Sequence, residues 1–452
     1  MAREPSQNGH GSVPALSPLE RRSVAALLVS VFASAAAALA QATVLGKQVY
    51  DLTGRELDLG LLGLAEFAPA ALLVLVTGSV ADRFDRRRIA AIATAGEAAV
   101  ALALAWYAGT DPTAVGPIFA LAFAFGIARA FAAPAARSLP ADTVAAVRLP
   151  WLIARFSGSW QAALIVGPVL GGFLYAADIR LPYLATAALL AVSAIAVLLI
   201  PRPGIRNGRP ADASNLDALQ EAAVEPVLGH VASAAAPKAG LREAVEGLRF
   251  IRNRPVLLGA ISLDLFAVLF GGAVALLPAI ATDRLGVDAV GLGWLRAAGG
   301  LGAGAVTALL AFRPLRRRVG RTLLTAVAAF GLATIALGVT RNFVVAFVAL
   351  GLLSGADSVS VFIRATLVPL VTPEDKRGRV LAVENVFIGA SNELGAFESG
   401  VAGQLLGPAG AVVLGGVATL VVAAGWCVFF PELRDVDAFP TGDARDEVGA
   451  GP

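Results

Sequence analysis

The sequence predicts an all-α integral membrane protein: twelve transmembrane helices in two pseudo-symmetric six-helix bundles. Three observations carry this. Of the 452 residues, 57% are hydrophobic and only 15% are charged, well below the roughly 25% charged residues of a soluble domain. A helix needs about 20 apolar residues to cross a bilayer, and twelve runs of that kind are present. Basic residues also alternate from loop to loop. The loops on the N-terminal side carry fourteen Arg and Lys, within 83–88, 137–148, 313–321 and 376–379. Those on the other side carry Arg55, Arg180, Arg284 and Arg341. Such a bias marks the cytoplasmic face, so both termini are expected there.

The first six runs lie near 24–46, 58–81, 89–109, 114–136, 151–177 and 180–200. The first contains "SAAAALAQA" (34–42), which resembles a signal-peptidase site. The run is longer than a signal core and further spans follow, so it reads as a retained helix. Six more runs lie near 255–282, 290–312, 320–340, 342–368, 380–407 and 410–430. The expected domains are a cytoplasmic tail (1–22), a six-helix bundle (23–200), a cytoplasmic linker (201–254), a second bundle (255–431) and a second tail (432–452). Within the linker, 201–237 has the composition of a flexible chain. Residues 238–254 place Leu241, Val245, Leu248 and Ile251 at helical spacing opposite arginines. That pattern suits a helix lying on the inner leaflet or one docked on protein.

Composition also excludes. The one cysteine, Cys427, permits no disulfide framework and no thiolate metal cage. His10 and His230 lie outside the spans, so no histidine is available there as ligand or proton carrier. No G-x-x-x-x-G-K-[ST] run is present, so the chain carries no P-loop ATPase. Catalytic residues, cofactors, a metal and a nucleic-acid partner are not expected. The expected partners are the bilayer, a small-molecule substrate and protons, and a monomer suffices.

The charged residues inside the spans are the informative ones, because burying them is costly and they usually mark function. Arg129 lies in the fourth span, Asp264 in the seventh, Asp357 in the tenth. Arg364 follows Asp357 by seven residues, nearly on one helix face, so an Asp357–Arg364 pair is an equal alternative to a pathway role. Glu66, Glu97 and Arg296 are also intramembrane, and the sequence does not rank them. The eleventh span contains "SNELGAFESG" (391–400). At 100° per residue, Glu384, Ser391 and Glu398 form one stripe and Asn385, Asn392 and Ser399 its neighbour, with Glu393 a step further round. So wide a polar arc must face a cavity and other helices. The pathway candidates are therefore Arg129, Asp264, Asp357, Asn392, Glu393 and Glu398. Gly167, Pro168, Gly171 and Gly172 in "VGPVLGGFL" form a small-residue packing face with a bend. The two halves echo each other: "FAAPAARSLP" and "VSVFIRATLVP" place Arg137 and Arg364 before a Leu and a Pro at the inner boundary. Two related bundles round a central cavity are a transporter plan.

The loop "GSVADRFDRRR" (78–88) resembles the loop 2–3 signature of the major facilitator superfamily, matching at Gly78, Asp82, Arg83, Arg86 and Arg87 and departing at Asp85, where the family usually has Gly. The resemblance implies a conformational latch there, with which we group Arg137 and Arg364. Within the helix turn, Asp82 and Arg86 are spaced to pair, or Asp82 to cap a neighbouring helix. The glycine–proline run at 166–174 is similar to a motif of exporters in the family, and the family's fourth-span arginine is linked to proton coupling, which points to Arg129. "RGRVLAVENVFIGASNELGAFESG" (377–400), with 263–281 and 291–300, resembles the enterobactin exporter branch. That implies proton-driven efflux of a siderophore-like or amphiphilic molecule by alternating access, with drug efflux or proton-coupled uptake as alternatives.

Overall fold

The computed structural model describes residues 16–144, 146–200 and 241–440. The first helix, α1, runs Pro18–Thr53. Its start is fixed by a capping box: the Ser17 hydroxyl accepts from the Glu20 amide, and the Glu20 carboxylate accepts from the Ser17 amide. The amide and hydroxyl of Ser17, and then Arg148, hold the Glu20 carboxyl below its ordinary range. Then come α2 (Glu56–Arg83), α3 (Arg86–Ala108), α4 (Gly116–Thr143), α5 (Leu149–Ala177) and α6 (Leu181–Leu199). The short α7 (Leu241–Arg252) precedes the second half. There α8 (Pro255–Phe270) continues through irregular turns and a π-helical turn, Ile280–Arg284. After it come α9 (Ala289–Phe312), α10 (Val319–Val339), α11 (Phe343–Val371) and α12 (Glu374–Phe429).

Ten of these stretches are long and apolar enough to cross a membrane. The 28-residue α2 adds one crossing. The 56-residue α12 supplies two, because Gly407 interrupts it with φ 73°, ψ 158° and Pro408 follows. Only glycine adopts such a backbone without strain. The result is the twelve crossings that the apolar runs predict.

The two halves repeat one packing scheme. In the first, α1 packs on α5 and α6, α4 on α2 and α3, and α3 on α6. In the second, α8 packs on both arms of α12, α11 on α9 and α10, and α10 on the second arm of α12. Small residues set the spacing. A Cβ on Gly302 of α9 would lie 1.9 Å from the Gly351 carbonyl oxygen of α11.

The halves meet along two seams, α2 against the first arm of α12 and α5 against α9. Their apolar cores are shared at one end only. On the side away from the termini, Tyr50 and Leu59 of the first half pack with Leu276, Leu277, Leu292 and Leu295 of the second. On the terminus side each core stays within its own half: Leu27, Leu139 and Phe156 in one, Leu263, Leu323 and Leu367 in the other. The molecule is therefore closed on the far side and open on the terminus side.

The linker helix α7 is docked on the start of α12. Gly247 abuts the Arg379 carbonyl, Glu246 pairs with Arg379 at 3.0 Å, and Ile251 is buried beside Val380. Its other face leaves Val245 and Leu248 exposed. The helix thus combines protein contact with an exposed apolar face. Residues 201–240 lie outside the described structure.

Replacing Gly302 by Val places a methyl against a carbonyl that has no room to move. We expect a loss of about 1–3 kcal/mol, read as a lower unfolding temperature of the purified protein in detergent. An unchanged temperature would contradict the close α9–α11 approach.

Candidate functional site: a cavity capped by buried charge

A cavity of about 1560 Å³ lies between the halves. It reaches Pro369, Glu374 and Arg377 at the terminus side and ends against Leu277 and Leu295. Those two leucines belong to the shared core that closes the far side. Most of its wall is apolar, from Leu39, Trp160, Leu164, Phe330 and Phe362 among others. Apart from hydroxyls such as Ser157, Ser354 and Ser358, and from Glu374 and Arg377 at the mouth, the polar groups are few: Gln161 on α5, Arg296 on α9, Asp357 on α11, and Asn392 and Glu393 on α12. An apolar wall with sparse polar groups is what a small-molecule site requires.

Beside the cavity, among the described residues, sits a cluster of five charges. Arg129 of α4 faces Glu97 of α3, Glu66 of α2 and, across the seam, Glu393 of α12. Arg296 of α9 faces Glu66 from the other half. Glu393 in turn faces Glu66 and Arg129, and its carboxylate approaches Gly63, where the lack of a side chain makes room. A Cβ on Gly126 would lie 2.2 Å from the Glu66 carbonyl, so α2 and α4 touch at this level. Phe125 lies under Arg129 with its ring centroid 6.0 Å from the guanidinium carbon. Three carboxylates thus face two guanidiniums, and a low dielectric makes the imbalance costly.

A second buried group lies nearer the termini. Arg364 of α11 holds Asp264 of α8 at 2.7 Å and Glu384 of α12 at 3.5 Å. All three are at most 5% exposed. This triad ties three helices of the second half together and does not line the cavity.

The predicted pathway residues therefore part company. Arg129 and Glu393 meet in the central cluster, and Asn392 and Asp357 line the cavity. Asp264 belongs to the triad. Arg364 lies with Asp264 and Glu384, not with Asp357 as the heptad spacing suggests, because partners on α8 and α12 reach it at its own depth. Glu398 shares its side of α12 with exposed Leu394 and Leu405. The stripe Glu384–Ser391–Glu398 is one line on the helix but meets different neighbours at each level.

In the loop at 78–88, α2 ends at Arg83 and α3 begins at Arg86. Asp82 and Arg86 therefore do not share a continuous helix. Asp85, the departure from the signature, caps α3 by accepting from the Arg87 amide at 3.0 Å. Arg83 and Arg86 are exposed, and Arg87 reaches the Leu198 carbonyl at 2.6 Å. Gly78 and Asp82 lie within α2 and Arg137 within α4, and beyond the helical backbone their surroundings lie outside what is described. The glycine–proline run splits its work. Gly167 and Gly171 abut the α1 backbone at Ala36 and Ala40, whereas Pro168 and Gly172 abut α9 at Gly293 and Ala289.

Sequence reasoning left Glu66, Glu97 and Arg296 unranked. A signal was available. Measured from the far-side end of each helix, Glu66, Glu97, Arg129, Arg296 and Glu393 all lie about 7–13 residues in. At 1.5 Å per residue this is one layer roughly 10–20 Å deep.

The closed end carries a hydrogen bond between the halves, from the Tyr50 hydroxyl of α1 to Asp283 in the π-helical turn. A bond of this kind contributes about 0.5–1.5 kcal/mol. Tyr50→Phe is expected to raise thiol labelling of a cysteine placed at Leu59 by about 2- to 10-fold, and unchanged labelling would show that the bond does not hold this end shut. Arg364→Met leaves two buried carboxylates without their cation, with an expected loss of about 3–5 kcal/mol. Replacing Asp264 and Glu384 by Leu and Met in that background is expected to restore most of it, by the same unfolding measurement.

A family model for the Major Facilitator Superfamily matches residues 23–363. The multidrug efflux pump Tap of Mycobacterium tuberculosis (strain ATCC 25618 / H37Rv) is 31% identical over 409 residues, covering 85% of this chain and 88% of that protein. The same figures hold for Tap of Mycobacterium bovis (strain ATCC BAA-935 / AF2122/97). Among solved structures, a bacterial homologue of the human lysosomal transporter Spinster, inward-facing and unoccupied, superposes with TM-score 0.67 at 15% identity, over 97% of this chain and 100% of that one. The human organic anion transporter MFSD10 (TETRAN) gives TM-score 0.58 at 16% identity, over 91% and 100%. These relatives lend no support to the siderophore branch of the sequence resemblance. The repeated halves, the cavity between them and the match over most of its length make the chain a member of the Major Facilitator Superfamily.

Proposed function

We propose that this transporter exports amphiphilic cations in exchange for protons, with both termini cytoplasmic in a bacterial plasma membrane and the monomer as the working unit. In that orientation the cavity opens inward. The observation that carries the reading is the cluster of Glu66, Glu97 and Glu393 against Arg129 and Arg296 at the closed end of an apolar cavity. Asp357 adds a further carboxylate on the α11 wall.

The chemistry follows from charge balance. With one bound proton the cluster is neutral and tolerates burial. Without it, one negative charge remains beside Glu393, the member of the cluster that lines the cavity. A cationic substrate in the cavity supplies the missing charge, and its apolar part rests on the wall. Proton and cation thus compete for one negative charge, and competition of this kind is what antiport requires. Either ligand permits the halves to rock about the cluster, the far side opening as the Tyr50–Asp283 bond breaks. The names of the relatives favour a drug-like amphiphile over a siderophore.

Everted vesicles containing the protein and acidified inside provide the test. Ethidium addition is expected to release internal protons, seen with a pH-sensitive dye, and Glu393→Gln to reduce the release by at least about tenfold, the lower end of the range for a positioned proton-transfer group being larger still. A catecholate siderophore, an anion, is expected to release none. No proton movement with ethidium, or an equal response in Glu393→Gln, would overturn the proposal.

A further inference from the structure

The face of α1 turned away from the cavity carries two amides. Gln41 and Gln48 are seven residues apart and nearly eclipse on the helix. They are 1% and 2% exposed. Their flanking residues show where this face points. Ala37 packs with Ala98, Phe125 and Leu190. Val44 and Leu45 pack with Leu62, Leu104, Ile118 and Tyr183. Those partners belong to α2, α3, α4 and α6, so the amides face the interior of the first half. Leu39, nearly opposite on the helix, lines the cavity.

The Gln41 side chain has a partner at neither its oxygen nor its nitrogen, and the Gln48 nitrogen also has none. Buried amides are otherwise satisfied almost without exception. Groups of this kind bind buried water. Their neighbours suggest what that water connects. Toward the far side, the Tyr183 hydroxyl donates to the Gln48 oxygen. Beyond it, Tyr175 donates to Asp51 at 3.0 Å, and Lys47 pairs with Asp51. The Asp51 side chain is 35% exposed, so this end reaches solvent. Toward the termini, Glu66 lies one helical turn beyond Leu62, and Glu97 two turns beyond Leu104. Gln41 lies one turn beyond Leu45. Since Leu45, Leu62 and Leu104 belong to one core, Gln41, Glu66 and Glu97 enter the same layer. Tyr183 is within electrostatic reach of both Tyr175 and Glu66.

We propose that the interior of the first half holds a water-linked proton path, running from Asp51 through Tyr183, Gln48 and Gln41 to Glu66 and Glu97, separate from the substrate cavity. The proton enters from the far side as hydronium, passes along hydrogen bonds of the bound waters and is held by a cluster carboxylate. No bond other than O–H is made or broken. The path gives the cluster a proton supply from the far side that is separate from the route the substrate takes. It rests on the antiport reading above and adds a route to it.

The test compares two fluxes in one preparation of the full-length protein reconstituted in liposomes. One is ethidium transport driven by a pH gradient. The other is exchange of labelled for unlabelled ethidium without a gradient. Gln41→Leu and Gln48→Leu are expected to slow the driven flux by at least about tenfold and to leave exchange at the wild-type rate. Both fluxes unchanged would overturn the path, and both falling together would show a structural role instead. Exchange without driven transport in the wild type would overturn the antiport reading itself, and the path with it. X-ray radiolysis gives a readout independent of transport. Tyr183, fully buried, is expected to be oxidised by activated bound water in the wild type and to be spared in the Gln41→Leu, Gln48→Leu double variant. Protection of Tyr183 in the wild type would overturn the path.

Discussion

Glu66, Glu97, Arg129, Arg296 and Glu393 form a charge cluster in the middle of a bilayer, and much of the fold answers to the cost of holding it there. An ion taken into such a medium loses several kcal/mol even after relaxation. The loss is offset only by opposite charges at close range, and these come from both halves. Two seams built on small residues bring them near. Gly60 and Gly63 of α2 let the first arm of α12 approach. Gly172 and Gly293 do the same between α5 and α9. Whatever changes the charge of the cluster therefore changes the energy of the contact between the halves. That coupling is the physical core of the proposed transport cycle.

The second buried group has a different character. Arg364, Asp264 and Glu384 all belong to one half. Rocking one half against the other leaves their distances unchanged. The triad thus ties α8, α11 and the first arm of α12 together within one half, while the central cluster spans the contact between the halves. The helix α7 is docked on the same arm through Glu246 and Arg379.

The fold was legible because the bilayer simplifies the code. Twelve apolar runs and the loop arginines suffice for a six-plus-six plan, since a span must satisfy its own backbone. The break in α12 was legible too, from Gly407 and Pro408 between two apolar runs. The site was only partly so. Asn392 and Glu393 stood out by their place on the polar arc, and Arg129 by its cost and by the family resemblance. Glu66, Glu97 and Arg296 did not, because each is a lone charge in its own span and its partners come from other helices. Glu398 and Asp264 looked equivalent to Glu393 for the same reason. Helical phase gives a direction about one axis, and only the assembled bundle says what stands in that direction. Gln41 was hidden more completely. An amide in an alanine-rich span reads as ordinary packing until its neighbours prove unable to bond it.

The account stands on one claim, that the central cluster binds either a proton or a cation. Proton release on ligand binding measures this without transport. Calorimetric titration of the purified protein with ethidium, repeated in buffers of different ionisation enthalpy, gives the number of protons displaced. The account predicts close to one proton per ethidium in the wild type, as reciprocal linkage between competing ligands requires, and near none in Glu393→Gln. Ethidium binding with no buffer dependence in the wild type would contradict it.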